Sequence, residues 1–210
     1  MGYAVHSLFY TLQGEGARSG RPAVFVRFAG CNLWSGREAD RSAAICRFCD
    51  TAFVGTGGPG GGRFPDATAL ADAVAQRWPG GGGQPYVVCT GGEPLLQLGP
   101  ELIAALHRRD FEVAVETNGT LALPSGLDWV CVSPKAGTEL AVTAGDELKL
   151  IYPQPGAAPE RYAHLAFHRF YLQPLDDAHR AAHVQAALDY CLAHPQWWLS
   201  LQSHKVLGIP

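Results

Sequence analysis

Seven short apolar runs, rich in β-branched and aromatic residues, constrain this chain more than any other feature. They span Ala23 to Phe28, Tyr86 to Cys89, Glu112 to Val115, Trp129 to Val132, Leu148 to Ile151, Phe167 to Leu172 and Trp197 to Leu201. Runs of this length and composition predict strands. Helix signals fall between several of them. Asp66, after Pro65, is a candidate N-cap ahead of Leu70, Val74 and Trp78 at four-residue spacing, and Pro79 with Gly80 to Gly83 ends that helix. A second helix is expected over Leu95 to Arg109 and a third over Asp177 to His194, stopped by Pro195. Strands alternating with helices predict a parallel sheet. Only about thirteen residues separate Val115 from Trp129, and about fifteen separate Val132 from Leu148, too few for crossovers with full helices. The expected fold is therefore α/β, a partial (open) β/α barrel with reduced helix content and functional loops at the C-terminal strand ends.

A chain of 210 residues with 47% hydrophobic content fits one domain over 1–210. The Gly-rich stretch from Gly55 to Gly62 follows too little chain to link two cores. Sixteen basic against nineteen acidic residues give a net charge of −3 with no Lys/Arg run, so no nucleic-acid partner is expected. No apolar stretch approaches the ~20 residues of a membrane span. The first residues lack a secretory pattern, and a cytoplasmic location without membrane contact is expected.

Six cysteines in such a chain read as metal ligands or buried thiols rather than a disulfide framework. Cys89, Cys131 and Cys191 sit in apolar runs and are expected to be small buried hydrophobes. Cys31, Cys46 and Cys49 lie in a polar, loop-like stretch, fourteen residues separating the first pair and two the second. Three soft ligands suit zinc or an iron-sulfur cluster. Structural zinc wants a fourth protein ligand, which no nearby CxxC or HxxxH supplies, whereas a cluster with one open iron does not. Spacing alone leaves cluster, zinc and inert thiols open. Directly after Tyr86 to Cys89 comes Thr90-Gly91-Gly92-Glu93-Pro94, whose glycines allow close backbone approach to a ligand. A simple strand-to-helix turn is the competing reading.

Together, the cysteine loop, with the aromatic Phe48 before Cys49, and the Gly-Gly-Glu turn resemble the radical S-adenosylmethionine (SAM) superfamily. The usual spacing there is CxxxCxxC, so Asn32 to Ile45 stands as an insertion in the cluster loop, about 30–55. The resemblance implies a 4Fe-4S cluster on Cys31, Cys46 and Cys49, with SAM on the open iron and its ammonium on the glycine turn at Gly92, where backbone and the Glu93 carboxylate offer acceptors. It implies that Phe48, Cys49 and Asp50 face the adenine. It also implies that Ser133, Pro134 and Lys135 with Gln173, Pro174, Leu175 and Asp176 meet SAM from two strand ends.

Within that superfamily most of the chain resembles the 7-carboxy-7-deazaguanine synthase family. The resemblance rests on Phe9 to Gly16, Val24 to Leu33, Cys49-Asp50-Thr51, Glu116 to Gly119 and Gln202 to Gly208. The implied reaction contracts 6-carboxy-5,6,7,8-tetrahydropterin to 7-carboxy-7-deazaguanine with loss of ammonia, in queuosine biosynthesis. A pterin presents a guanidine-like edge of donors, matched by Gln13, Glu15 and backbone acceptors at Leu12 and Gly14. Its carboxylate wants a planar cation, and Arg27 stands in an apolar strand where a lone guanidinium is costly. An internal salt bridge from Arg27 to Glu15 or Glu116 is the alternative. By the resemblance, Thr90 contacts substrate, His204 and the terminal carboxylate of Pro210 close the pocket from a tail at about 200–210, and the Thr51 hydroxyl binds Mg2+. A flavodoxin- or ferredoxin-type reductant and a homodimer are implied likewise. Rival readings are a radical-activating enzyme acting on a protein and a zinc-stabilised binding module.

Overall fold

The computed structural model describes residues 2–210. Nine strands among these residues form one sheet: β1 (Tyr3–Leu12), β2 (Pro22–Phe28), β3 (Gly62–Phe64), β4 (Tyr86–Gly91), β5 (Glu112–Thr117), β6 (Trp129–Val132), β7 (Ala144–Tyr152), β8 (Ala166–Pro174) and β9 (Trp197–Leu199). Their order is β3-β1-β2-β4-β5-β6-β7-β8-β9, parallel from β2 to β9, with β1 antiparallel to β2 and β3 antiparallel to β1. The sheet does not close on itself, which makes it an open barrel. Helices α1 (Ala67–Ala75), α2 (Pro100–His107) and α3 (Arg180–Ala193) cover its outer side, and a short α4 (Ser203–Leu207) ends the chain. No helix among the described residues is long and apolar enough to cross a membrane.

Strand alternation divides the molecule into two faces. On β2, Val24, Val26 and Phe28 join Leu70, Val74, Leu102 and Leu106 in the main core beneath the helices, while Phe25 and Arg27 point to the concave side. There a smaller cluster of Ala23, Phe25, Tyr86, Val88 and Ala114 floors the barrel. Arg18 stacks on Trp129 at 4.1 Å and Arg21 on Tyr86 at 3.9 Å, and both pair with Glu112 at 2.8 and 2.6 Å. These contacts plug the bottom and leave the other end for chemistry.

All seven expected strands are present, and the β5–β6 and β6–β7 crossovers carry no helix, as their lengths require. Asp66 caps α1, its Oδ1 accepting from the Ala69 N–H at 2.9 Å. The second helix differs from expectation. It starts at Pro100, because Gly99 and Pro100 interrupt the segment and Pro favours the first helical position; Pro94–Leu96 forms a separate 3-10 turn. The third begins at Arg180 rather than Asp177. Strands β1 and β3 were not expected. In β1 a register shift between Val5 and Ser7 breaks the alternation, so that Tyr3, Val5 and Leu8 all reach the core while Ser7 and Phe9 face inward.

Candidate active site

A cavity of about 630 Å³ opens on the concave side at the C-terminal strand ends. Its wall includes the residues singled out above for cluster, SAM, magnesium or substrate, except Pro134 and Glu93, which are not on it. Pro134 is buried behind the β6 end, where its carbonyl accepts from Gln154 Nε2 at 3.4 Å. The ring turns away because its neighbours Ser133 and Lys135 take the cavity side, Lys135 Nζ donating to the Ser133 carbonyl and hydroxyl at 2.6 and 2.8 Å.

One end of the cavity is ionic. Lys149, buried on β7, pairs with Glu15 at 2.5 Å and Glu116 at 3.4 Å. Gln13 Nε2 and the Thr90 hydroxyl donate to the same Glu116 carboxylate at 3.0 and 3.2 Å. Burial alone would raise the Glu15 carboxyl, but the Lys149 charge, with hydrogen bonds from Lys149 and Gln202, outweighs it and brings it down to about 2. For Lys149, burial opposes the charge, and the two carboxylates override it and hold the ammonium well above its ordinary value. Both internal partners considered for Arg27 are thus engaged by Lys149. Among the described residues Arg27 makes neither an ion pair nor a hydrogen bond through its guanidinium, which lines the cavity. Burial draws its pKa below the ordinary guanidinium value, against the pull of Glu116, Asp50, Glu15 and Cys49.

The loop carrying Glu15 is held by backbone donors. Gly16 N–H reaches Ser200 Oγ at 2.9 Å, Ala17 N–H reaches Glu147 at 2.8 Å, and Gly20 N–H returns to the Gln13 carbonyl at 2.7 Å. Gly16 has φ 63°, and a Cβ there would meet Glu147 Oε1 at 2.6 Å, so glycine is needed on both counts.

The other end is built on sulfur. Cys31, Cys46 and Cys49 all line the cavity as free thiols. Cys31 Sγ accepts from the Leu33 N–H at 3.4 Å. Cys46 hydrogen-bonds Cys49, which raises the Cys46 thiol and, with help from the Thr51 N–H and Lys135, lowers Cys49 to about 6 against its burial. Cys31 and Cys49 pack against buried Trp34, Ala44 and Phe53. Among the described residues no three His, Cys, Asp or Glu side chains converge as ligands of a single metal ion. An all-thiol donor set, spread around a shared cavity and without a fourth ligand, fits the corners of an iron-sulfur cubane better than a lone tetrahedral ion.

The glycine turn after β4 docks this loop on the sheet. A Cβ at Gly92 would lie 2.0 Å from the Gly30 carbonyl oxygen, and the Glu93 N–H donates to that oxygen at 2.9 Å. The Glu93 carboxylate does not face the cavity. It is fully buried and accepts from the Thr117 hydroxyl (2.7 Å), the Asn118 N–H (2.8 Å) and the Leu95 N–H (3.0 Å). Asn118 in turn donates to Asn32 at 2.9 Å. Glu93 therefore fixes loop against sheet, and only backbone at Gly91 and Gly92 faces the cavity.

The tail folds over the mouth. Ser203 donates its N–H and hydroxyl to the Gly14 carbonyl at 3.0 and 2.9 Å, His204 packs on Gly14, and Pro210 reaches the cavity wall. Lys205 bridges Asp50 at 2.6 Å and Asp176 at 2.5 Å, tying cluster loop, tail and β8 end together. Lys149, Gln202 and Lys205 were missed as site residues. Lys149 carried the signal that marked Arg27, a lone cation inside an apolar strand, whereas nothing local marks Lys205.

An unclosed parallel barrel with three thiols after β2 and a glycine turn after β4 has the architecture of a radical SAM enzyme, and the sequence model of the Radical SAM superfamily matches residues 41–154. The 7-carboxy-7-deazaguanine synthases of Bordetella pertussis and Bradyrhizobium diazoefficiens are 61% and 62% identical to the chain, each match covering 100% of both proteins. A crystal structure of QueE from Escherichia coli superposes with a TM-score of 0.73 at 26% identity, covering 97% of this chain and 95% of that one. The chain belongs to the 7-carboxy-7-deazaguanine synthase family of the radical SAM superfamily. It is an enzyme, and a 4Fe-4S cluster and SAM are the cofactors of that superfamily.

Proposed function

We propose that this enzyme contracts 6-carboxy-5,6,7,8-tetrahydropterin to 7-carboxy-7-deazaguanine with release of ammonia, as a lyase of queuosine biosynthesis. The observation that carries the reading is the charge pattern of the ionic end. Lys149 pairs with both Glu15 and Glu116, while Arg27, in the same cavity, has no ion-pair partner among the described residues. A ligand with a donor-rich edge and a carboxylate answers both. Arg27 grips the carboxylate with its planar fork. Glu15, Gln13 and backbone at Leu12 and Gly14 accept from the pyrimidine edge, with Thr90 beside the ring and His204 and Pro210 above it.

Cys31, Cys46 and Cys49 hold the cluster in this reading. When bound, the cluster would supply the electron for reductive cleavage of SAM, the chemistry that starts hydrogen-atom abstraction from the pterin. Phe48 to Asp50, Gly92, Ser133, Lys135 and Gln173 to Asp176 would hold SAM, with glycine-turn backbone, and not the occupied Glu93 carboxylate, offered to its ammonium. Thr51 would offer one neutral oxygen to Mg2+, which would need substrate oxygens and waters as its other ligands. A flavodoxin- or ferredoxin-type donor and a homodimer belong to the same proposal.

The test is an anaerobic assay of the iron-reconstituted protein with SAM, reductant, Mg2+ and the carboxypterin, read by mass. Formation of 7-carboxy-7-deazaguanine is expected. Release of 5′-deoxyadenosine without pterin conversion would refute the substrate, and an inert, fully reconstituted protein would refute the reaction.

A further inference from the structure

We infer that the insertion from Asn32 to Ile45 is a clamp that shapes the cysteine turn, with Arg41 as its positioning residue. The inference rests on the reading that Cys31, Cys46 and Cys49 carry the cluster. The insertion folds as a compact loop whose Trp34 and Ala44 form a small core with Phe53, just beyond the cysteine turn. Trp34 meets Phe53 edge to face at 5.6 Å, and its indole N–H donates to the Arg37 carbonyl at 3.2 Å. Ser35 hydrogen-bonds Asp40 at 2.7 Å, Ile45 N–H to the Leu33 carbonyl at 3.1 Å ties the ends of the insertion, and Gly30 N–H to the Phe53 carbonyl at 3.2 Å ties the chain that flanks the cysteines.

From this base a 3-10 turn, Glu38–Ala43, aims Arg41 at the CxxC segment. Its guanidinium lies over Trp34 at 4.1 Å, its Nε pairs with Glu38 at 2.7 Å, and its Nη1 donates to the carbonyls of Arg47 at 2.8 Å and Cys49 at 3.1 Å. One planar group thus uses its face and two edges at once, which a lysine cannot copy. Both carbonyls belong to the Cys46–Cys49 turn, so fixing them fixes the separation and direction of two thiols. Arg41 is not on the cavity wall, so it acts through the loop and not on substrate. Its fixed positive charge beside the thiolates also favours the reduced, more negative state of a cluster held there.

The test compares the full-length protein with Arg41→Gln and Arg41→Lys after reconstitution, measuring iron loss to a chelator and the midpoint potential by EPR-monitored titration. Arg41→Gln is expected to lose iron roughly tenfold faster, the order found when partners that orient metal ligands are removed, and to shift to a more negative potential. Arg41→Lys is expected to keep the potential near that of the parent but to lose iron faster. Unchanged loss rates in both variants would overturn the clamp. Alkylation rates of Cys46 and Cys49 in the apoprotein, mapped by mass, give a cluster-independent reading: faster modification in Arg41→Gln supports the clamp, and equal rates reject it. A parent protein that takes up no iron and sulfide refutes the cysteine assignment, while the alkylation result still judges the clamp.

Discussion

The two ends of the cavity are positioned in different ways. At the ionic end, Arg27, Thr90, Glu116 and Lys149 stand on β2, β4, β5 and β7, and strand register sets their relative places. At the sulfur end, three thiols ride on one loop, placed by contacts within that loop and by Glu93 below it. The first kind of site is integral to the sheet, so its charges are coupled to folding. The second can be altered with the sheet left whole.

Substitutions that separate the two ends test this contrast. The largest effect is expected from Cys31→Ala: iron and sulfide analysis should show loss of the cluster and turnover should vanish, with apoprotein melting unchanged. Retained turnover would mean that the thiols are not the ligands. Lys149→Met should do the opposite, costing about 3–5 kcal/mol of apoprotein stability in a denaturant titration, because two carboxylates are left buried without their cation. The pH dependence follows from Glu15, whose folded value of about 2 lies below its ordinary 4.5. Its contribution is complete above the ordinary value and is lost as pH falls from there toward about 2. Glu15→Gln should flatten the melting curve across that window, and an unaltered slope would remove the Glu15–Lys149 pair from the account.

Arg27→Lys comes next. It keeps a charge but loses the fork, so KM for the pterin should rise by on the order of 10–100-fold, the worth of a charge-assisted pair, with stability held. A KM unchanged would displace the substrate carboxylate from Arg27. The smallest effect is expected at Lys205, whose side chain is 30% exposed. Lys205→Met should change stability by less than about 1 kcal/mol and show itself as faster exchange of the tail amides. Equal exchange would show that the tail is held by Ser203 and Gly14 alone.

Much of this was legible in the sequence because parallel strands buried on both faces read as continuous apolar runs. The helix-free crossovers followed from chain length. Strand β1 was not legible, since its register shift scrambles the period-two pattern and its polar residues belong to the cavity. The cysteines could be grouped by setting, but Leu12 to Glu15, His204 and Pro210 were reached through family resemblance, because loops carry no period. Lys149 could have been found by asking what pairs with a cation in an apolar strand. Lys205 could not, since its partners lie 155 and 29 residues away. The Glu93 carboxylate illustrates a further limit: the motif marks the turn without revealing which way the side chain points.

The contacts that cover the cavity also impose an order on biogenesis. Those shaping the thiol turn join residues as little as eight apart, as from Arg41 to Cys49, whereas the Glu15–Lys149 pair spans 134 residues and the Ser203–Gly14 bond 189. On the ribosome the thiol turn is available long before anything can cover it. The Gly14 carbonyl and the Glu15 carboxylate thus wait for partners made much later in the chain, and the cover over the cavity forms only after the sheet that it rests on.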